Sequence, residues 1–172
     1  LMKTYGIDAI PFEHENMDEW RNALSGGVRF LHEPTNFLVT GGIDDLWVNP
    51  KKELIIVDYK ATSKKEEVSL DAEWQIGYKR QVEVYQWLLR RNKFKVSDMA
   101  YFVYCNGDAD KKAFDAKLEF NIKILPYKGS DHWIEETLLR AKEVLVSDNL
   151  PESGPDCDYC RYRQAAFEAE NL

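Results

Sequence analysis

Residues 53–62, Glu-Leu-Ile-Ile-Val-Asp-Tyr-Lys-Ala-Thr, constrain this chain more than any other stretch. Side chains alternate along a strand, so Leu54, Ile56, Asp58 and Lys60 share one face while Ile55 and Val57 share the other. A strand that is apolar on both faces belongs in the middle of a sheet, covered above and below. Asp58 and Lys60 then project from a buried face, where a carboxylate and an ammonium are costly unless they are paired or bind something. Residues 36–46 form a second β-like run, with Gly41-Gly42-Ile43-Asp44-Asp45 at its polar end. A turn at Asn49-Pro50 closes the two runs into a hairpin and brings Asp44 alongside Asp58. Two carboxylates with a lysine beside them suit a hard divalent cation, which prefers oxygen ligands. Such a site is equipment for phosphodiester hydrolysis.

The rest of the chain is compatible with one domain built around that strand. At 172 residues it is long enough for a single core and short for two. Its 44% hydrophobic and 31% charged residues are those of an ordinary globular chain. No apolar run approaches the roughly 18 residues of a membrane span. No basic region followed by an apolar stretch opens the chain, so no secretory signal is expected. The start at Leu1-Met2 suggests a fragment or a processed form. Three cysteines, an odd number, argue against a disulfide framework and fit a reducing cytoplasm. The formal net charge of −7 is awkward for a nucleic-acid binder, since such proteins usually carry a basic surplus. Basic pairs occur at Lys51-Lys52, Lys64-Lys65, Lys79-Arg80, Arg90-Arg91 and Lys111-Lys112, and each serves equally well as a phosphate contact or as solubilising surface.

Periodicity predicts a helix over 16–24, stopped by Ser25-Gly26-Gly27, and strands over 28–32, 36–49 and 53–62. A helix over 70–91 follows, with Asp71 as its N-cap. Strands are then expected over 99–105 and 117–125, the latter with Leu118, Phe120, Ile122 and Ile124 on one face. An amphipathic helix over 131–147 completes a domain of residues 1–150. Pro151 and Pro155 set off a tail, 151–172, that contains Cys157-Asp158-Tyr159-Cys160. Alternation puts Asp44 on the face of Leu46 and Val48, and turns Asp45 outward.

Gly41-Gly42-Ile43-Asp44, then Asp58-Tyr59-Lys60, then Gln81 and Tyr85 four apart on a helix resemble, in order and spacing, the PD-(D/E)xK nuclease superfamily. Within it they resemble the RecB-type and CRISPR-associated exonuclease branch, whose helix carries Q-x-x-x-Y. The resemblance implies an α/β fold with a restriction-endonuclease-like core, a central mixed β-sheet flanked by helices. It implies that Asp44, Asp58 and the backbone carbonyl of Tyr59 hold Mg²⁺ or Mn²⁺. A water activated by that metal would hydrolyse the phosphodiester and leave a 5′-phosphate, with Lys60 orienting or deprotonating the water. Gln81 and Tyr85 would position the DNA backbone or the lysine; by pattern alone they are equally boundary and core residues. DNA ends or single strands would be the substrate of such an exonuclease, and DNA repair beside a helicase or another nucleic-acid-processing partner its setting.

The branch usually places a histidine in an upstream helix. Here His32 ends a strand instead and is a lesser candidate, while Glu15 and Glu19 stand where a first-helix ligand is expected. Cys157 and Cys160 have zinc or iron–sulfur spacing but supply only two of four ligands. Many iron–sulfur exonucleases of the branch use one upstream and three tail cysteines, yet position 166 is Ala166 and Cys105 is expected in the core. A cluster or zinc therefore requires ligands from outside this chain. Two rival readings remain: a catalytically inactive nucleic-acid- or partner-binding module on the same fold, and a type II-like restriction endonuclease.

Overall fold

The computed structural model describes residues 1–110, 116–149 and 151–171. Lys111-Lys112 falls outside the described residues. The chain divides into two compact units, Leu1–Glu135 and Glu136–Leu172. In chain order the elements are β1 (Ile10–Pro11), α1 (Met17–Arg21), β2 (Val28–His32), β3 (Phe37–Gly41), β4 (Asp45–Val48) and β5 (Leu54–Thr62). They continue with α2 (Ile76–Arg91), β6 (Met99–Gly107), β7 (Phe120–Lys128), α3 (Ile134–Val146) and α4 (Asp158–Glu170).

β5 is the central strand of a five-stranded sheet ordered β1-β4-β5-β6-β7, as its two apolar faces require. The sheet is mixed: β5 and β6 run parallel, and the remaining neighbours are antiparallel. Parallel neighbours need a crossover, and α2 supplies it. Ile55 and Val57 pack with Trp47 and Val103 on one face, which Met2, Ile7 and Ala9 of the N-terminal segment help to cover. Val82, Leu88 and Leu89 of α2 are fully buried, as are Leu46, Ile56 and Phe102 of the sheet.

The expected strand over 36–49 is two strands in two different sheets. β3 pairs with β2 in a separate ribbon, Val28 opposite Gly41, whereas β4 pairs with β5, Asp45 opposite Val57. The chain changes sheets at Gly42-Ile43-Asp44 because neighbours crowd the backbone there. A Cβ on Gly41 would lie 2.7 Å from Tyr85 Cε1, and one on Gly42 2.6 Å from Ala23 Cβ. The Ile43 N–H donates to the Trp20 carbonyl at 3.0 Å, so α1 pins the crossing. Sequence periodicity cannot register such a break, since alternation of side chains continues through it.

Other boundaries shift for local reasons. α1 is shorter than expected, ending where Asn22 and Gly26 close tight turns. α2 begins at Ile76 rather than near 70, so Asp71 is not its N-cap. A 3-10 turn over Glu73–Gln75 precedes it, with the Gln75 side chain accepting from the Ala72 N–H at 2.9 Å. β7 lies three residues later than predicted at both ends, and the CxxC segment leads into the helix α4.

Two buried polar side chains fix α2 along its length. Glu83 accepts from Tyr127 Oη (2.7 Å), the Ser130 N–H (3.0 Å) and Trp133 Nε1 (2.7 Å). Gln86 donates to the Ser97 and Asp98 carbonyls at 3.0 and 2.9 Å. Burial and the adjacent Glu83 carboxylate both raise the Tyr127 hydroxyl pKa, so it stays a donor.

Gly42→Ala should cost about 1–3 kcal/mol by overpacking against Ala23 backbone and side chain, which have no flexible end to move aside. Urea unfolding of the two proteins measures this. An unchanged midpoint would mean that the sheet crossing tolerates a methyl group.

Candidate active site

The β4–β5 hairpin assembles the site. Register continues from Asp45–Val57 to place Asp44, at the bend before β4, beside the Asp58-Tyr59 segment. Asp44 Oδ2 accepts the Tyr59 N–H at 2.9 Å, where β4 no longer pairs with β5. In a strand the N–H and C=O of one residue point to the same edge, so the Tyr59 carbonyl also faces Asp44. Asp44 is exposed, at a bend rather than within the strand expected over 36–49.

Asp58 is 1% exposed on the face of Ile56. Lys60 Nζ is its counter-ion, 2.6 Å from Oδ2. Apart from that ammonium, neither oxygen of Asp58 has a hydrogen-bond donor among the described residues. Burial is the largest influence on this carboxyl and raises its pKa; Lys60 opposes the shift and the Asp44 charge adds to it.

Lys60 continues the network toward α2. Its Nζ lies 3.3 Å from Gln81 Oε1, and Gln81 Nε2 donates to Tyr85 Oη at 2.7 Å. Tyr85 is buried, and its hydroxyl pKa is raised by burial, with the Asp58 and Asp44 charges contributing. Gly41 leaves room for its ring. The structure thus brings Asp44, Asp58, Tyr59, Lys60, Gln81 and Tyr85 together.

Several neighbours were not anticipated. Arg21 of α1 donates to the Asp44 carbonyl at 3.1 Å and pairs with Asp45 Oδ1 at 2.8 Å. Tyr59 Oη donates to Asp45 Oδ2 at 3.0 Å, so Asp45 is held on the opposite side from Asp58 rather than left in solvent. Burial and that carboxylate push the Tyr59 hydroxyl up to about 12. Lys60 Nζ also sits 4.2 Å from the Tyr78 ring centroid. Tyr78, Gln81 and Tyr85 recur at helical spacing, a signal by which Tyr78 could have been found.

The lesser candidates lie elsewhere. Both His32 ring nitrogens are engaged, Nδ1 with Thr35 Oγ1 at 2.8 Å and Nε2 with Glu135 Oε2 at 2.9 Å. His32 is therefore a buried structural residue. Glu15 and Glu19 are exposed. In the second unit, Cys157 occupies the N-cap position of α4 without a capping bond from its side chain, and Cys160 lies in the first turn. The Cys160 N–H and thiol lower the Cys157 pKa, and the same contact raises that of Cys160. Cys105, on β6, is half-buried rather than in the core.

Asp44 and Asp58 fit a divalent cation: a buried carboxylate lacking donors, a second beside it, and one lysine for two negative charges. No group of three or more His, Cys, Asp or Glu side chains converges among the described residues. Water or phosphate oxygens would have to complete the coordination shell, as hard cations commonly allow.

The sequence matches the family model of the PD-(D/E)XK nuclease superfamily over residues 7–165. The chain belongs to that superfamily. Comparisons with curated proteins and with solved structures give no match. As a nuclease-family domain it is built to act on nucleic acid, and the mixed sheet with its crossover helix is the corresponding α/β fold. No helix among the described residues is long and apolar enough to cross a membrane.

The raised Asp58 pKa fixes the sign of a pH effect. The folded carboxyl holds its proton at pH values where the unfolded one, near roughly 3.9, has released it. Metal-free stability should therefore fall as pH rises from that value through the raised folded one, and Asp58→Asn should flatten this segment. Urea unfolding across a pH series in EDTA compares the two; parallel profiles would show that the folded carboxyl titrates normally.

Proposed function

We propose that this chain is a deoxyribonuclease dependent on Mg²⁺ or Mn²⁺, of the RecB exonuclease type, acting on DNA ends or single strands. The observation that carries the reading is the buried Asp58 carboxylate, donor-poor and facing Asp44 across a hairpin, with Lys60 as the only cation on it among the described residues. Asp44, Asp58 and the Tyr59 carbonyl are the proposed ligands. A bound cation supplies an electrophile for the phosphate and acidifies a water molecule.

The chain's own groups do the rest. Lys60 Nζ stands where it can donate to a phosphate oxygen or orient the attacking water. Gln81 Oε1 accepts from Lys60 Nζ and thereby sets the direction of its remaining N–H bonds. Tyr85 Oη accepts from Gln81 and keeps its own proton, so it remains a donor to substrate or solvent. A reducing cytoplasm and a helicase-type partner complete the proposal. Any zinc or iron–sulfur centre at Cys157 and Cys160 would take its other ligands from outside this chain.

A non-catalytic binding module on the same fold is disfavoured by the same charges. A buried pair is weak support for stability and is often replaceable by apolar residues, so without chemistry it has no physical reason to persist.

Asp44→Ala, Asp58→Ala and Lys60→Ala should each lower cleavage by about 10²-fold or more while the fold is retained. The carboxylate variants should weaken Mn²⁺ binding by calorimetry, and Lys60→Ala should spare it. Gln81→Ala and Tyr85→Phe should slow turnover by a smaller factor without lowering the melting temperature. The assay offers circular and linear, single- and double-stranded DNA. Cleavage of closed circles would favour an endonuclease, and cleavage in EDTA or by Asp58→Ala would refute the site.

A further inference from the structure

The approach to Lys60 is lined by aromatic rings as well as charge. Trp74, in the turn that leads into α2, meets Tyr78 edge to face, with centroids 5.4 Å apart and planes at 82°. Tyr78 in turn carries Lys60 over its ring. Lys64, in sequence just beyond β5, places its Nζ 4.9 Å from the indole centroid of Trp74. Cation, ring, ring and cation thus succeed one another from Lys60 to Lys64.

Trp74 is nevertheless 56% exposed. An indole normally gains by burying its surface, so one held mostly in water contributes little to the core. Nor is it on a loose support. Gln75, 3% exposed, donates to the Ser69 carbonyl at 2.6 Å and to Tyr104 Oη at 3.3 Å, which fixes the turn from beneath. The surface beside it is open: a Cβ on Gly77 would meet nothing within 4 Å.

We propose that Trp74 and Tyr78, with Lys64, form a stacking platform for the unpaired bases of a single-stranded polynucleotide that leads into Lys60. The proposal rests on the nuclease reading of the Asp44–Asp58–Lys60 site and names its substrate class. Unpaired bases expose ring faces that stack on aromatic side chains, and lysines answer the phosphates between them. A duplex offers the same phosphates, but its base faces are buried in its own stack. Charge alone would not distinguish the two; an exposed indole does.

The test is equilibrium binding of the full chain in EDTA to labelled oligothymidylate, to an abasic oligomer of equal length, and to a blunt duplex. Wild type should prefer oligothymidylate. Trp74→Ala should weaken that binding by about fivefold or more, the lower end of what one stacked base contributes, and narrow the preference over the other two ligands. Trp74→Phe should retain most of it. Indole emission should be quenched on binding in wild type and much less so in Trp74→Phe. Equal wild-type affinity for the abasic oligomer, no binding of oligothymidylate, or an equal loss on all three ligands in Trp74→Ala would overturn the platform. Metal-dependent cleavage is scored separately. Base-dependent binding without cleavage would sink the nuclease reading alone, and cleavage without base dependence would sink the platform alone.

Discussion

The Asp58–Lys60 pair is the constraint around which the first unit is arranged. A carboxylate at 1% exposure can stay charged only beside a cation, and its raised pKa records that Lys60 offsets burial incompletely. The sheet cannot move the pair outward, because β5 must stay central to cover Ile55 and Val57 on one face and Ile56 on the other. The imbalance is therefore built in. A second positive charge arriving at Asp44 and Asp58 would relieve it, and this is a physical reason for a cation to bind.

Precision at the site depends on α2, and α2 is fixed by interactions remote from it. Glu83 and Gln86 are tied to the segments after β7 and before β6. At the C-terminal end Arg90 bridges Asp98 and Asp131, while Arg91 pairs with Glu135, which also bonds His32 and Trp87. Those contacts lock the helix, so Gln81 meets Lys60 without freedom to drift. His32 joins this network through Glu135.

Much of this was legible in the sequence, and the reason is period. Alternation in 53–62 gave both the central strand and the common face of Asp58 and Lys60, and helical spacing aligned Gln81 with Tyr85. What failed has a common cause. The break at Gly42 and the capture of Asp45 by Arg21 and Tyr59 depend on contacts between residues far apart in the chain. Glycines at 41 and 42 signalled a bend or a close approach, but only the packed Tyr85 ring and Ala23 show which neighbours demand it. Tyr78 was visible as the third member of the Gln81–Tyr85 stripe, and Trp74 was not, because it precedes the helix.

The net charge of −7 bears differently on the proposed activity once side chains have places. Arg21, Arg90 and Arg91 carry the forked guanidinium groups best suited to phosphate, and each is committed to carboxylates. Counter-ion release scales with the number of phosphates neutralised, so arginines committed in this way add little non-specific affinity through salt-sensitive contacts. Under the proposed reading, binding would come instead from a cation at Asp44 and Asp58 and from rings beside Lys60. Both act over a few nucleotides. On that proposal a substrate so held would be released easily after each cut, and continued engagement with a long strand would fall to the proposed partner.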